Sequence, residues 1–393
     1  MIYLDNSATT KQYDEVTAAM ITNMEEVFGN PSSLYQLGVD SEKAIKRARK
    51  QVLECAGLSD YEVVFTSGGT EADNMAIFGA AKILSRSGNR IVTTAVEHPA
   101  VLECFKELER EGFDVVRVGV DRSCRLNMDE LEAAIDSNTI LVSIMHINNE
   151  IGTIMPINSV REIMNKKKAP GLLHCDAVQS FGKMPLPGSA DLISVSGHKI
   201  HGPKGSGALL IGRDRKNPRK NINIPAYILG GGQELGKRSG TENVPAIVGL
   251  GVAASIAADD GGNNYATIEK LWELRERLRV GLEDRLEDIV INSPDDPEEC
   301  CPTVLNISFS KTRGEVILHT LEQSKIYVST GSACSSNKKG QSHVLAEMGL
   351  NGKEIEGTLR FSLGRMNKEE EIDIAIEKVV EAVERFRRLG SFR

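Results

Sequence analysis

The sequence predicts an α/β protein, with a mainly parallel, doubly wound sheet in a large domain and a smaller α+β domain beside it. Its 393 residues exceed what one hydrophobic core usually holds, which predicts two domains. From about residue 60 to residue 212, short apolar runs alternate with segments of helical periodicity. Such alternation is typical of parallel sheets covered by helices on both faces. After about residue 262 the alternation ends and a long charged helix begins.

The large domain is predicted to span 12–262. Between its early strands, apolar residues recur at helical spacing, which predicts helices over Glu71–Leu84, Pro99–Glu111 and Met128–Ile135. The nearly apolar run Val244–Ala258 is too short to cross a bilayer and predicts a packed core helix. The strands of the large sheet are predicted at apolar runs over Glu62–Thr66, Arg90–Ala95, Phe113–Val118, Ile140–Ile147, Leu172–Asp176, Leu192–Ser196 and Gly207–Ile211.

The small domain is predicted to combine 1–11 with 263–393. A Gly/Ser-rich segment at about 329–341 interrupts it and lacks apolar periodicity. The other elements are a helix from Tyr265 to about Ile289, a strand Val304–Ser308, a helix Glu315–Gln323, a strand near Ile326–Ser329, a strand Thr358–Ser362 and a terminal helix Glu369–Arg388.

Composition narrows the class of protein. Hydrophobic residues make up 40% and charged residues 26% of the chain, as in ordinary globular proteins. The net charge of -8 excludes a global attraction to nucleic acid or to anionic membranes. Seven cysteines without a Cys-x-x-Cys pair argue against a disulfide framework and against a zinc ribbon, so we expect no metal. The first residues lack the pattern of a signal peptide, and we expect a cytoplasmic protein.

One lysine stands out by its position. The strand predicted over Leu192–Ser196 stops abruptly, and Lys199 follows it in a glycine-rich stretch. The lysine is thereby placed at the carboxyl end of a buried strand, where open α/β sheets bind ligands. Such a lysine is a candidate for a Schiff base with a carbonyl cofactor, of which pyridoxal 5'-phosphate (PLP) is the commonest. A surface lysine in a loop is the alternative, and the stretch alone favours neither.

Other polar residues stand where neighbouring strands end. Gly69 and Thr70 lie in a turn that starts a helix, whose free N–H groups suit a phosphate, although a plain N-cap is the alternative. Asp176 ends a strand, and its carboxylate suits a protonated pyridine nitrogen or, alternatively, caps a turn. Gln179 and Asn149 are amides that suit a ring oxygen, and turn structure explains either one alone.

Three further side chains are candidates for chemistry. His98 suits ring stacking and proton transfer, but it also suits a plain helix start, and the same ambiguity applies to His198. Arg360 lies inside a strand-like run and needs an anion, either a substrate carboxylate or an internal salt-bridge partner. Cys334 lies in the small, polar segment near Lys338, which favours a reactive thiolate.

An ordered series of motifs carries a family resemblance along nearly the whole chain. The series comprises Tyr3–Thr10, Asn30–Ser33, Thr66–Asn74, Glu97–His98, Asn148–Gly152, Asp176–Gln179, Ser196–Lys199, Gly202–Gly205, Gly230–Glu234, Arg238–Asn243 and Ser332–Cys334. The chain thereby resembles the group I (NifS/IscS-like) cysteine desulfurases, PLP enzymes of aminotransferase class V and of fold type I.

The resemblance implies a role for each matched residue. Lys199 would form the Schiff base with PLP, and Cys334 would attack the substrate sulfur and carry the persulfide. His98 would stack on the ring and assist proton transfer, while Arg360 would clamp the substrate carboxylate with Asn149 nearby. Contacts with the cofactor are implied for Gly69, Thr70, Asn149, Asp176, Gln179, Ser196, His198, Lys199 and, from the second subunit of a homodimer, Thr241.

The expected function is therefore that of a cysteine desulfurase. It would convert L-cysteine into L-alanine and pass the sulfur to an acceptor protein, for iron–sulfur cluster assembly or tRNA thiolation. The alternatives are a selenocysteine lyase, another class V PLP reaction such as transamination, and an inactive scaffold partner. Tyr35 stands where members of the family commonly carry a histidine, which leaves the substrate preference open.

Overall fold

The computed structural model describes residues 1–215, 217–259, 265–330 and 341–390, so the predicted nucleophile Cys334 lies outside the described residues. The strands are β1 (Ile2–Tyr3), β2 (Glu62–Thr66), β3 (Arg90–Thr94), β4 (Asp114–Val118), β5 (Thr139–Ser143), β6 (Leu172–Asp176), β7 (Leu192–Ser196), β8 (Gly207–Ile211), β9 (Arg213–Asp214), β10 (Asn217–Asn221), β11 (Ile289–Ile291), β12 (Val304–Phe309), β13 (Ile326–Tyr327) and β14 (Thr358–Ser362). The α-helices are α1 (Asp14–Glu25), α2 (Gln36–Ala56), α3 (Gly69–Leu84), α4 (Pro99–Arg110), α5 (Met128–Ala134), α6 (Ile157–Lys166), α7 (Val244–Asp259), α8 (Tyr265–Glu283), α9 (Gly314–Gln323), α10 (His343–Glu347), α11 (Gly352–Glu356) and α12 (Glu369–Gly390).

The large sheet has seven strands in the order β2-β8-β7-β6-β5-β3-β4. Strand β8 runs antiparallel to both of its neighbours, and the remaining pairs are parallel. A short connection leads from β7 to β8, whereas a parallel partner needs a crossover of about a dozen residues or more. Every residue of β5, β7 and β8 is buried. The predicted fold class is confirmed, and the carboxyl ends of β2, β3, β5, β6 and β7 meet at one edge.

A second, smaller sheet has the order β11-β12-β14 and is antiparallel throughout. Helices α8 and α12 pack beside it, and its apolar cluster includes Leu4, Leu278 and Phe361. Strand β1 pairs in parallel with β13, which ties the first residues to this region. The side chains of Val344 and Leu345, in contrast, join the apolar cluster of the large sheet. The domain boundaries given above stay a prediction.

Two elements differ from their predicted bounds by more than two residues. Helix α8 ends at Glu283 rather than near Ile289, because the strand β11 begins there. Half-buried and exposed residues alternate along β11, and it pairs with β12 so that Ile291 lies opposite Ile307. The N–H groups of Ile144 and His146 still donate to carbonyl oxygens of β6. Strand β5 nevertheless ends at Ser143 rather than Ile147, because the Met145 N–H donates to the Glu97 carboxyl group instead of to a strand. Among the described residues, no helix has the length and apolarity that a membrane span requires.

Candidate active site

Lys199 lies just beyond β7, in a single helical turn over Gly197–Lys199. The turn needs glycine at its start, because a Cβ on Gly197 would lie 2.4 Å from the Ser206 hydroxyl oxygen. The Lys199 Nζ donates hydrogen bonds to the carbonyl oxygens of Ala8, at 2.8 Å, and of Ser7. The amine is therefore held at the carboxyl edge of the sheet by the N-terminal segment.

A cavity of about 200 Å³ opens in front of this lysine. Thr241 does not line it and is exposed, and Cys334 lies outside the described residues. The structure brings the other predicted site residues together around the cavity: Gly69, Thr70, His98, Asn149, Asp176, Gln179, Ser196, His198, Lys199 and Arg360.

One end of the cavity is built to hold an anion. Helix α3 begins there with Gly69, where a Cβ would lie 2.6 Å from the Val178 side chain, so this close approach favours glycine. The Ser196 hydroxyl oxygen is buried and has no hydrogen-bond partner in the described part of the chain. Since a helix N-terminus carries unpaired N–H groups and a partial positive charge, this end suits a phosphate.

A buried carboxyl group, that of Asp176, also lines the cavity. The Asp176 carboxylate accepts a hydrogen bond of 2.9 Å from the Val178 N–H. Burial raises the pKa of Asp176, while the positive charges of His98 and Lys199 oppose the rise. A cationic ring nitrogen placed here would favour the ionised form of this carboxyl group.

His98 caps the N-terminus of α4. Its Nδ1 accepts a hydrogen bond of 3.2 Å from the Ala100 N–H, so the neutral ring carries its proton on Nε2. Burial lowers the pKa of His98, the positive charges of Lys199 and His343 lower it further, and the Asp176 charge opposes them. A neutral imidazole with an accessible N–H suits both ring stacking and proton transfer.

Arg360 is 2% exposed and extends from β14 to the cavity. Its guanidinium donates to the Asp5 carboxylate at 2.8 Å and to the Asn149 carbonyl oxygen at 3.0 Å. The Nε–H is buried and finds no acceptor within the described ranges. The internal salt bridge considered above is therefore present, and the guanidinium keeps further N–H groups for an anion in the cavity.

Known proteins resemble this chain along nearly its whole length. The family profile of aminotransferase class-V matches residues 2–374. The chain belongs to this family. A cysteine desulfurase from Trichormus azollae is 42% identical over 396 residues, which cover 100% of this chain and 95% of that protein. The cysteine desulfurase IscS of Escherichia coli is 44% identical over 396 residues, covering 99% and 94%. A solved structure described as a NifS-like protein is 38% identical, with a TM-score of 0.88 over 98% of this chain and 99% of that one.

Within this class V fold, six residues that line the cavity were not predicted from the sequence, and Ser7, Ala8 and Asp73 are three of them. Ser7 and Ala8 line the cavity although they lie far from Lys199 in the chain, and only their place in the Tyr3–Thr10 motif pointed to them. Asp73 also lines the cavity, and burial followed by the Asp176 charge raises its pKa well above the ordinary range. Its position one turn after Thr70 on α3 is the signal that would have found it.

Glu97 lies beneath His98 and gives a pH-dependent prediction. Its carboxyl group is fully buried and accepts from the Thr94 hydroxyl at 2.8 Å and the Met145 N–H at 3.0 Å. Burial raises the pKa of Glu97 from 4.5 to about 8. Between these values the folded state keeps a proton that the unfolded chain releases, so this group makes the fold less stable as pH rises.

We expect Glu97→Gln, which cannot ionise, to lose that dependence. The free energy of unfolding of the variant, taken relative to that of the wild type, should rise by about 2 kcal/mol from pH 5.5 to pH 7.5. Each pH unit in this window contributes up to about 1.4 kcal/mol. Urea unfolding at both pH values measures the difference. Glu103→Gln, on the exposed face of α4, is the matched control. Parallel pH profiles for Glu97→Gln and the wild type would contradict the prediction.

Proposed function

We propose that the chain is a PLP-dependent cysteine desulfurase, which releases L-alanine from L-cysteine and leaves the sulfur as a persulfide on Cys334. One observation carries the proposal: in a chain related throughout to cysteine desulfurases, a lysine, an anion-binding helix start, a buried carboxylate and a buried arginine surround one cavity. We further propose that the persulfide sulfur passes to an acceptor protein, for iron–sulfur cluster assembly or tRNA thiolation.

The residues around the cavity fit PLP. The N–H groups at Gly69 and Thr70, with the unpartnered Ser196 hydroxyl, would hold the phosphate. Asp176 would pair with the ring nitrogen, and Gln179 would donate to the ring oxygen. When bound, the cofactor supplies an electron-withdrawing ring that stabilises negative charge left at the substrate Cα.

The chain's own side chains then bind substrate and move protons. The Arg360 guanidinium, which lines the cavity, would bind the carboxylate of L-cysteine, with Asn149 beside it. The Lys199 amine would take the proton from Cα. His98, which burial keeps neutral, would donate a proton to the substrate. The N-terminal segment at Ser7 and Ala8 covers this region and limits the access of water.

The sulfur step needs a thiol of the enzyme. The Cys334 thiolate would attack the substrate sulfur, so that an S–S bond forms while the Cβ–S bond breaks. The electron pair of the broken bond stays with the carbon skeleton, which takes up protons and leaves as alanine.

Thr241 is exposed in the single chain, and we propose that it reaches the phosphate of a second copy in a homodimer.

Product analysis of the PLP-loaded protein tests the proposal. With L-cysteine and a thiol reductant, we expect alanine and sulfide in equal amounts. Turnover of selenocysteine without turnover of cysteine would replace the proposal by a selenocysteine lyase. Alanine formed only with a 2-oxo acid present would indicate an aminotransferase. A protein that binds PLP and turns over none of these substrates would contradict an enzymatic function of this kind.

A further inference from the structure

A second lysine lies behind the site and has no part in the function proposed above. Lys183 is half-buried, and a cavity of about 30 Å³ is lined by both Lys183 and Lys199. The chain reaches this position through Gly182, which has a φ of +67° and where a Cβ would lie 2.9 Å from the Ile200 side chain. The tight contact with Ile200 places Lys183 next to the turn that carries Lys199.

Lys183 is joined to the cavity by the amide of Gln179. The Lys183 Nζ donates to the Gln179 Oε1 at 3.3 Å, and the Gln179 Nε2 donates to the Ser7 carbonyl oxygen at 3.1 Å. The same carbonyl oxygen accepts from the Lys199 Nζ. A continuous path of hydrogen bonds therefore links the two lysines through Gln179 and Ser7.

The partners at its two ends fix the direction of the Gln179 amide. An ammonium group only donates, and a carbonyl oxygen only accepts. If the amide were turned over, its NH2 would face the Lys183 ammonium and its oxygen would face the Ser7 oxygen. Both contacts would be repulsive, and both buried groups would lose a hydrogen bond. The observed direction leaves one N–H of the amide for an acceptor in the cavity.

We propose that Lys183 is a positioning residue, which holds the Gln179 amide with its nitrogen towards the cavity so that it donates to the ring oxygen of PLP. This inference rests on the proposed function and goes beyond it by assigning a role to a side chain outside the cavity. A hydrogen bond to the anionic form of a ring oxygen stabilises that form. Lys183 thereby tunes the protonation of the bound cofactor without touching it.

The charges around Lys183 are compatible with this role. Burial, followed by the Lys199 charge, lowers the pKa of Lys183 to about 7. The amine carries N–H groups in both of its protonation states and can donate to Gln179 in either. When Lys183 is neutral, the Ser7 carbonyl oxygen, which only accepts, still fixes the direction of the amide. The other groups that act on Lys183 are Cys301, Arg365 and Arg360.

The test is a pH titration of the visible absorption band of the PLP-loaded protein. Loss of a donor to the ring oxygen disfavours the deprotonated form, so we expect Lys183→Met to raise the midpoint by about one pH unit. Lys183→Arg keeps a donor and should restore the midpoint. Lys204→Met removes an exposed positive charge near His198 and is the matched control. Lys183→Ala replaces the methionine variant if that variant does not fold.

A double-mutant cycle separates the amide from a direct effect of charge. We expect Lys183→Met to add no shift in a Gln179→Leu background, because both substitutions act on the same hydrogen bond. A full shift in that background, or no shift in the single variant, would overturn the role of Lys183. The absorption readout does not depend on turnover, so a wild type that binds PLP and releases no alanine would refute the proposed function alone.

Discussion

Replacement of Lys199 by alanine is expected to lower the release of alanine from L-cysteine by at least about 10,000-fold, because the variant loses both the covalent attachment point and the proton carrier at Cα. Two carbonyl oxygens of the N-terminal segment hold the amine in its position. Borohydride reduction followed by mass spectrometry should find PLP attached to the wild-type chain at Lys199 and absent from the variant.

Two controls make the result specific. Lys204→Ala removes an exposed lysine five residues further along the chain and should keep the wild-type rate. A small primary amine added to Lys199→Ala should recover part of the activity, because the space left by the side chain lies in the cavity. Activity within about tenfold of the wild type would contradict the assignment, and the half-buried Lys183 would then be the next candidate.

The mainly parallel sheet was predictable because most of its strands are buried. Runs such as Leu192–Ser196 and Gly207–Ile211 read as strands from composition alone, and the structure buries every residue in them. The pairing of β1 with β13 involves two residues on each side, too few to show any period. The end of α8 was misplaced for a similar reason, since β11 is only three residues long.

The site was predictable where it follows strand ends and obscure where it depends on distant contacts. Asp176 and Lys199 come directly after strands of one parallel sheet, so topology alone brings them together. Ser7 joins them only because the N-terminal segment crosses the carboxyl edge of that sheet. Lys183 was not singled out in the sequence, because its contact with Gln179 depends on packing that no periodicity reveals. The roles assigned to these residues stay predictions.

The other large effect is expected at Cys334, and it concerns the sulfur step alone. Both sides of the segment 331–340 are attached to the wall of the active site. Ser329 pairs with Arg360 through two backbone hydrogen bonds of 3.1 and 2.7 Å, and Ser342 donates to the Glu150 carboxyl group at 2.6 Å. Cys334 comes five residues after Ser329, which limits the separation of their Cα atoms to about 18 Å.

Cys334→Ala should therefore bind L-cysteine and change the absorption of bound PLP as the wild type does, but release alanine and sulfide at least about 1000-fold more slowly. Cys55→Ala is the matched control, since burial raises the pKa of that thiol to about 12 and leaves it unreactive. Mass spectrometry of the wild type after one turnover should find the added sulfur on Cys334. If the variant kept the wild-type rate, the sulfur would leave without an enzyme thiol, as in a lyase. A slow variant with an unchanged absorption response places the defect in the attack on sulfur, because substrate binding at Arg360 and proton transfer at Lys199 would then both be intact.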